Sequence, residues 1–125
     1  MGFSLSTTED MLAWLLGIGS PSAPAAKYIS FHVGDPGADG ANPTANLTRT
    51  QHDAWAVGTP DDGSVENDGT GETAEATGGD TITHFGVWDD PTAGNFLFGG
   101  TCTTRVISTG SKLTWADGAL VATIT

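Results

Sequence analysis

Thr81-Ile82-Thr83-His84-Phe85-Gly86-Val87-Trp88, followed by Asp89-Asp90-Pro91-Thr92-Ala93-Gly94 and then Asn95-Phe96-Leu97-Phe98-Gly99-Gly100, decides the fold. Two apolar, β-prone runs flank a Pro/Gly turn, the pattern of an antiparallel hairpin. Two further runs follow, Arg105-Val106-Ile107 and Lys112-Leu113-Thr114-Trp115, and the chain closes on Leu120-Val121-Ala122-Thr123-Ile124-Thr125. Short strands joined by short turns predict a sheet module. No side-chain set in the stretch is arranged for chemistry.

Working back towards the N-terminus, Lys27 to Val33 alternates as a strand. Ile29, Phe31 and Val33 fall on one face, and Tyr28, Ser30 and His32 on the other. Residues 34–43 are rich in Gly, Asp, Asn and Pro and predict a long loop. Trp55 anchors a weaker strand over Ala54 to Val57. Residues 58–80 are acidic and rich in Gly and Thr, with a turn at Pro60-Asp61-Asp62-Gly63, and are expected to form either a loop or an edge strand near Thr73 to Ala76. The first element is expected to be a short helix. Ser6 and Glu9 fit a capping box, Asp10 adds favourable charge, and Gly17, Gly19, Pro21 and Pro24 prevent continuation. Met11, Leu12, Leu15 and Leu16 read as one stripe with Trp14 beside it. Such a helix is too short to hold alone, so it must dock on its own sheet or on another subunit. These five residues are the interface candidates. The expected organisation is a helix over 1–19, a linker over 20–26 and an antiparallel β-sandwich-like domain over 27–125.

Composition narrows the function. A chain of 125 residues is one domain and buries a core without staples. Only Lys27, Arg49, Arg105 and Lys112 are basic, and the formal net charge is −11. Such a surface repels phosphate backbones and anionic membranes, so neither nucleic acid nor membrane is expected as a partner. Acidity of this kind keeps a protein soluble and its copies apart. The single cysteine, Cys102, allows no internal disulfide and reads as a small buried hydrophobe. The N-terminal stretch carries Glu9 and Asp10 where a secretion signal would be basic, and no apolar run reaches membrane-spanning length. The chain is therefore expected to be made in the cytoplasm.

Candidate sites are sparse. Asp61, Asp62, Glu66, Asn67, Asp68 and Glu72 supply hard oxygen ligands that calcium could use, but their spacing is not that of an EF-hand loop, and a solvated acidic loop is the simpler reading. His32, His52 and His84 are scattered without metal-ligand spacing. No nucleophile elbow or phosphate loop occurs, and Asn46-Leu47-Thr48 is a sequon without a secretory context. No catalytic residue, metal or cofactor is expected. Trp14, Trp55, Trp88 and Trp115, with Phe31, Phe85, Phe96 and Phe98, are core or interface candidates.

Three segments carry a resemblance: Lys27-Tyr28-Ile29-Ser30-Phe31-His32-Val33-Gly34-Asp35-Pro36-Gly37, Thr83-His84-Phe85-Gly86-Val87-Trp88-Asp89, and Asn95-Phe96-Leu97 with Thr103-Thr104 and Leu113-Thr114-Trp115-Ala116-Asp117-Gly118-Ala119-Leu120. In this order they resemble the small tail-fibre-like or minor structural proteins of tailed bacteriophages. Residues 44–78 depart from that pattern, with its Gly-Gly-x-Tyr-x-Arg strand reduced to Leu47-Thr48-Arg49. The resemblance implies a virion component on the particle surface, β-sandwich-like and without enzymatic residues. Its partners would be the major capsid protein or tail proteins of the same virion, and a homo-oligomer, dimer or trimer, is expected. The compact acidic body suits a capsid decoration protein first. A tail or tail-fibre accessory role is the alternative. Four tryptophans and the loops at 34–50 and 58–80 would also suit a carbohydrate or receptor module. An envelope hydrolase has only scattered acidic residues in its favour.

Overall fold

The computed structural model describes residues 3–19, 21–59 and 62–123. A helix, α1 (Leu5–Leu16), precedes β1 (Tyr28–His32), β2 (Thr50–Gln51), β3 (Trp55–Val57), β4 (Ser64–Asn67), β5 (Gly71–Glu72), β6 (Asp80–Trp88), β7 (Phe96–Ile107), β8 (Thr114–Trp115) and β9 (Val121–Thr123). The strands pair antiparallel in a four-stranded sheet of order β2-β1-β6-β7, a three-stranded sheet β3-β4-β9 and a ribbon β5-β8. The chain is thus mostly β with one short N-terminal helix, as the strand pattern predicts.

The quoted stretch builds the centre. β1 pairs with β6 along its whole length, with Ile29 opposite Val87 and Phe31 opposite Phe85. These four side chains are buried and give the sheet its apolar face; burying one such side chain contributes about 1.5–3 kcal/mol. The small sheets close over that face. Trp55 lies edge-on to Phe98 with ring centroids 5.2 Å apart, and Trp115 packs on Phe31 at 5.7 Å. The turn between β6 and β7 is held by its own carboxylates. Asp89 accepts from the Asn95 backbone N–H and side-chain amide, and Asp90 from the N–H groups of Thr92 and Ala93. Those N–H donors hold the Asp90 carboxyl below the usual carboxylate range.

Four expectations need correction. The helix starts on Ser4, whose hydroxyl accepts the Thr7 N–H at 3.1 Å; Ser6 lies inside the helix, so Ser6 and Glu9 do not form a capping box. Runs 95–100 and 105–107 belong to the single strand β7. The glycines that close the first run do not end the strand, because they are sites of close approach. A Cβ on Gly99 would lie 2.5 Å from the Phe85 carbonyl oxygen, and one on Gly100 2.6 Å from that of Val121. Val33 falls beyond β1 and is exposed, its N–H bonded to the Asn42 carbonyl of the following loop. The acidic edge strand is Gly71–Glu72, two residues earlier than expected, with Gly71 pressed against the Trp115 ring. The expected final strand ends, as described, at Thr123; Ile124 and Thr125 lie outside the described residues.

Phe3 is a core residue that the sequence does not announce. It bridges to Phe98 at the edge of the large sheet, stacks on its ring at 5.2 Å and is buried, while the Ser4 N–H donates to the Leu97 carbonyl. Replacing Phe3 with Ala removes this plug and is expected to cost about 3 kcal/mol in urea unfolding. Leu16→Ala, on the exposed helix, is expected to change stability by less than about 0.5 kcal/mol. Equal losses in the two variants would show that the helix packs into the body.

Candidate docking surface

The helix meets the body only at its root. Ser4 caps its start, and Gly17, at φ +68°, ends it, the Ile18 N–H returning to the Ala13 carbonyl. Between these caps no residue of α1 is buried. Trp14 is 73% exposed, Leu15 68% and Leu16 67%; Leu5, Leu12 and Ile18 are more than half exposed too. Exposed apolar surface of this density is uncommon on a lone domain. The structure also divides the expected stripe. Met11 and Trp14, with Thr7 and Asp10, line an open groove of about 900 Å³ between α1, the segment 21–27 and the sheets. Its far wall holds Phe3, Trp55, Val65, Leu97 and Phe98. Leu12, Leu15 and Leu16 lie outside that lining and face solvent.

The opposite face of the large sheet carries a buried polar array. Trp88 Nε1–H donates to Ser30 Oγ at 2.8 Å, Ser30 Oγ lies 2.6 Å from His32 Nε2, and His32 Nδ1 lies 2.7 Å from the Ala41 carbonyl. A carbonyl only accepts, so His32 carries a proton on Nδ1, bonded to Ala41. Burial lowers the His32 pKa, only partly offset by that bond. In the neutral ring that this favours, Nε2 accepts from the Ser30 hydroxyl. Gly86 makes room for the array, since a Cβ there would lie 2.8 Å from His32 Nε2 and 2.9 Å from Ser30 Oγ. Arg49 closes it from outside. Its guanidinium lies 3.8 Å from the Trp88 ring centroid and donates to the Asp90 and Ala93 carbonyls at 2.7 Å each. The loop 34–43 covers the whole, with Pro36 buried and Gly40 against Trp88.

A family model described as Podophage GP4 fiber I protein gp80 matches residues 2–123. The chain belongs to this family. It is a tailed-phage virion structural protein, in line with the resemblance of its three segments. No curated protein matches the chain.

In this fiber-family chain several of the remaining candidates have structural partners. Asn67 is fully buried, donates to the Gly69 and Ala116 carbonyls and accepts from the Leu120 N–H. Asp62 accepts from the Ser64 N–H, and Glu72 pairs with Lys112 at 3.4 Å. Asp61 lies outside the described residues. Among the described residues no three His, Cys, Asp or Glu side chains converge as metal ligands. His52 packs between Trp55 and Trp115, and His84 bonds to Thr83. Burial raises the Cys102 pKa to about 11, so it is a thiol at neutral pH. The four tryptophans form no shared exposed platform: Trp115 is buried, Trp55 and Trp88 are half-buried in ring contacts, and Trp14 stands on the helix. No described helix is long and apolar enough to cross a membrane.

The His32 array makes a signed prediction. The folded pKa lies below the ordinary 6.5, so the unfolded chain takes up the proton first. The stabilisation is complete above about pH 6.5 and is lost as pH falls towards the folded value. Urea midpoints measured from pH 7.5 to 5 should fall, and His32→Gln should flatten that slope while His52 and His84 remain. An unchanged slope would assign the effect elsewhere.

Proposed function

We propose that this chain is a non-enzymatic subunit of the tail-fibre apparatus of a podophage, held in the virion through α1 and presenting a rigid acidic β body. The match to a fiber protein family over residues 2–123 carries the reading, and the unburied apolar helix supplies the means of attachment. Its partners on this reading are other tail proteins of the same particle and copies of itself. The −11 charge argues against nucleic acid and membrane surfaces. The closest approach to a catalytic pair, Ser30 with His32, is buried and shut in by Trp88 and Ala41, which supports a role without chemistry. Decoration of the capsid, the first expectation from the compact acidic body, draws on nothing in the family description, whereas the fibre role does.

Immunogold labelling of intact particles with antibody against this chain tests the reading. Gold at the tail is expected. Gold over the head would overturn the fibre placement in favour of decoration, and no label on any particle would remove the surface role.

A further inference from the structure

Phe3 closes the core from the end of an arm. Its ring stacks on Phe98 at 5.2 Å, its backbone bridges to Phe98, and the neighbouring Ser4 N–H donates to the Leu97 carbonyl. The bonds that hold the arm in shape lie within it: the Thr7 N–H donates to Ser4 Oγ, and the Ile18 N–H to the Ala13 carbonyl. Among the described residues from Leu5 to Ala26 none is buried, and the next hydrogen bond to the body is the Lys27 N–H on Asp53 Oδ1. To bring Phe3 to its own β7 the chain must turn back after α1. It does so at Gly17 and Gly19, both left-handed at φ +68° and +67°. A Cβ on either would meet nothing within 4 Å, so glycine there serves the backbone alone. Pro21 and Pro24 follow and favour an extended path. Only the Phe3 contact and this reversal keep the arm on its own body.

We infer that the arm exchanges between copies: Phe3 of one chain fills the place beside Phe98 of a second, and the second returns its own. The occupant is set by the socket itself, which holds Phe3 of this chain in the closed form. Exchange remakes every contact of that form and leaves neither Phe98 nor Leu97 uncovered, which makes it a low-cost route to a two-fold pair. The reach is sufficient. The helix is about 18 Å long, residues 17–27 extend by at most about 36 Å, and a compact body of this length has a radius of gyration of about 14 Å. Closed and exchanged forms differ chiefly in the entropy of joining two chains and in the turn at Gly17 and Gly19. Exchange therefore sets in as the chain approaches the effective concentration of its own arm, on the order of 1 mM. The net charge of −11 raises that threshold at low salt.

Arm exchange does not rest on the tail placement, so either can fail without the other. Sedimentation equilibrium of the full chain in about 0.5 M NaCl, where the repulsion is screened, tests it. Gly17→Ala and Gly19→Ala each disfavour the left-handed turn about tenfold and leave the Phe3 contact intact. The double variant is expected to dimerise at least about tenfold more tightly than wild type. Adding Phe3→Ala should abolish that dimer, and adding Leu12→Asp should leave it, with folding of each variant checked by circular dichroism. A covalent trap gives a second reading that keeps one native plug in the pair. In chains carrying Cys102→Ser, Phe3→Cys and Phe98→Cys proteins are mixed and oxidised. The mixture should yield a disulfide-linked heterodimer, because residues 3 and 98 face each other in the bridge, and neither protein alone should yield a linked dimer. A double glycine variant no tighter than wild type, a dimer that survives loss of Phe3 but not Leu12→Asp, or a mixture without linked heterodimer would each overturn the inference.

Discussion

The antiparallel ladder between β1 and β6 is the constraint on which the rest depends, and its register decides both faces of the sheet. With Phe31 opposite Phe85 and Ile29 opposite Val87, one face is wholly apolar. The same register sets Ser30 opposite Gly86, the one residue whose missing Cβ leaves space for the Ser30–His32 pair. A slip by one position would turn Phe31 and Phe85 towards the loop and the polar pair into the core. The loop 34–43, the Arg49 clamp and the Asp89–Asn95 turn all rest on the face that this register creates. The central sheet is therefore buried on both sides, one by aromatic rings of the small sheets and the other by a chain of hydrogen bonds under a loop.

A body closed in this way has no need of α1. Phe3 and Ser4 tie the N-terminus to β7, and the helix beyond them contributes no buried side chain. Local caps keep it helical, but a helix of twelve residues is marginal without a packing partner. The buried side chains thus lie in the sheets and at Phe3, while the helix leaves its apolar surface uncovered. A net charge of −11 opposes close approach of two such bodies.

Much of the sheet was legible in the sequence. Alternation located β1, an apolar β-prone run located β6, Trp55 marked β3, and the Asp-Asp-Pro-Thr-Ala-Gly run marked the hairpin turn. The helix was legible from its apolar spacing and glycine stop. What escaped depended on distant neighbours. Gly99 and Gly100 look like a turn until β9 and the Phe85 carbonyl are seen to press on them. Ser30 and His32 follow the polar phase of an alternating strand, and only the returning loop buries them. Phe3 precedes the helix without a pattern of its own. Arg49 had one signal, as one of only four cations in an acidic chain. The apolar residues of the helix were legible in the sequence, whereas the groove that separates Met11 and Trp14 from the leucines comes from three sequence-distant walls.

Hydrogen–deuterium exchange on the dilute full-length chain tests the central claim most directly. Amides of β1, β6 and the Phe96–Gly100 half of β7 should exchange slowest, through global opening, while those of α1 exchange orders of magnitude faster. Protection of α1 equal to that of β6 in the dilute chain would contradict the account, because it would make the helix part of the body's own core.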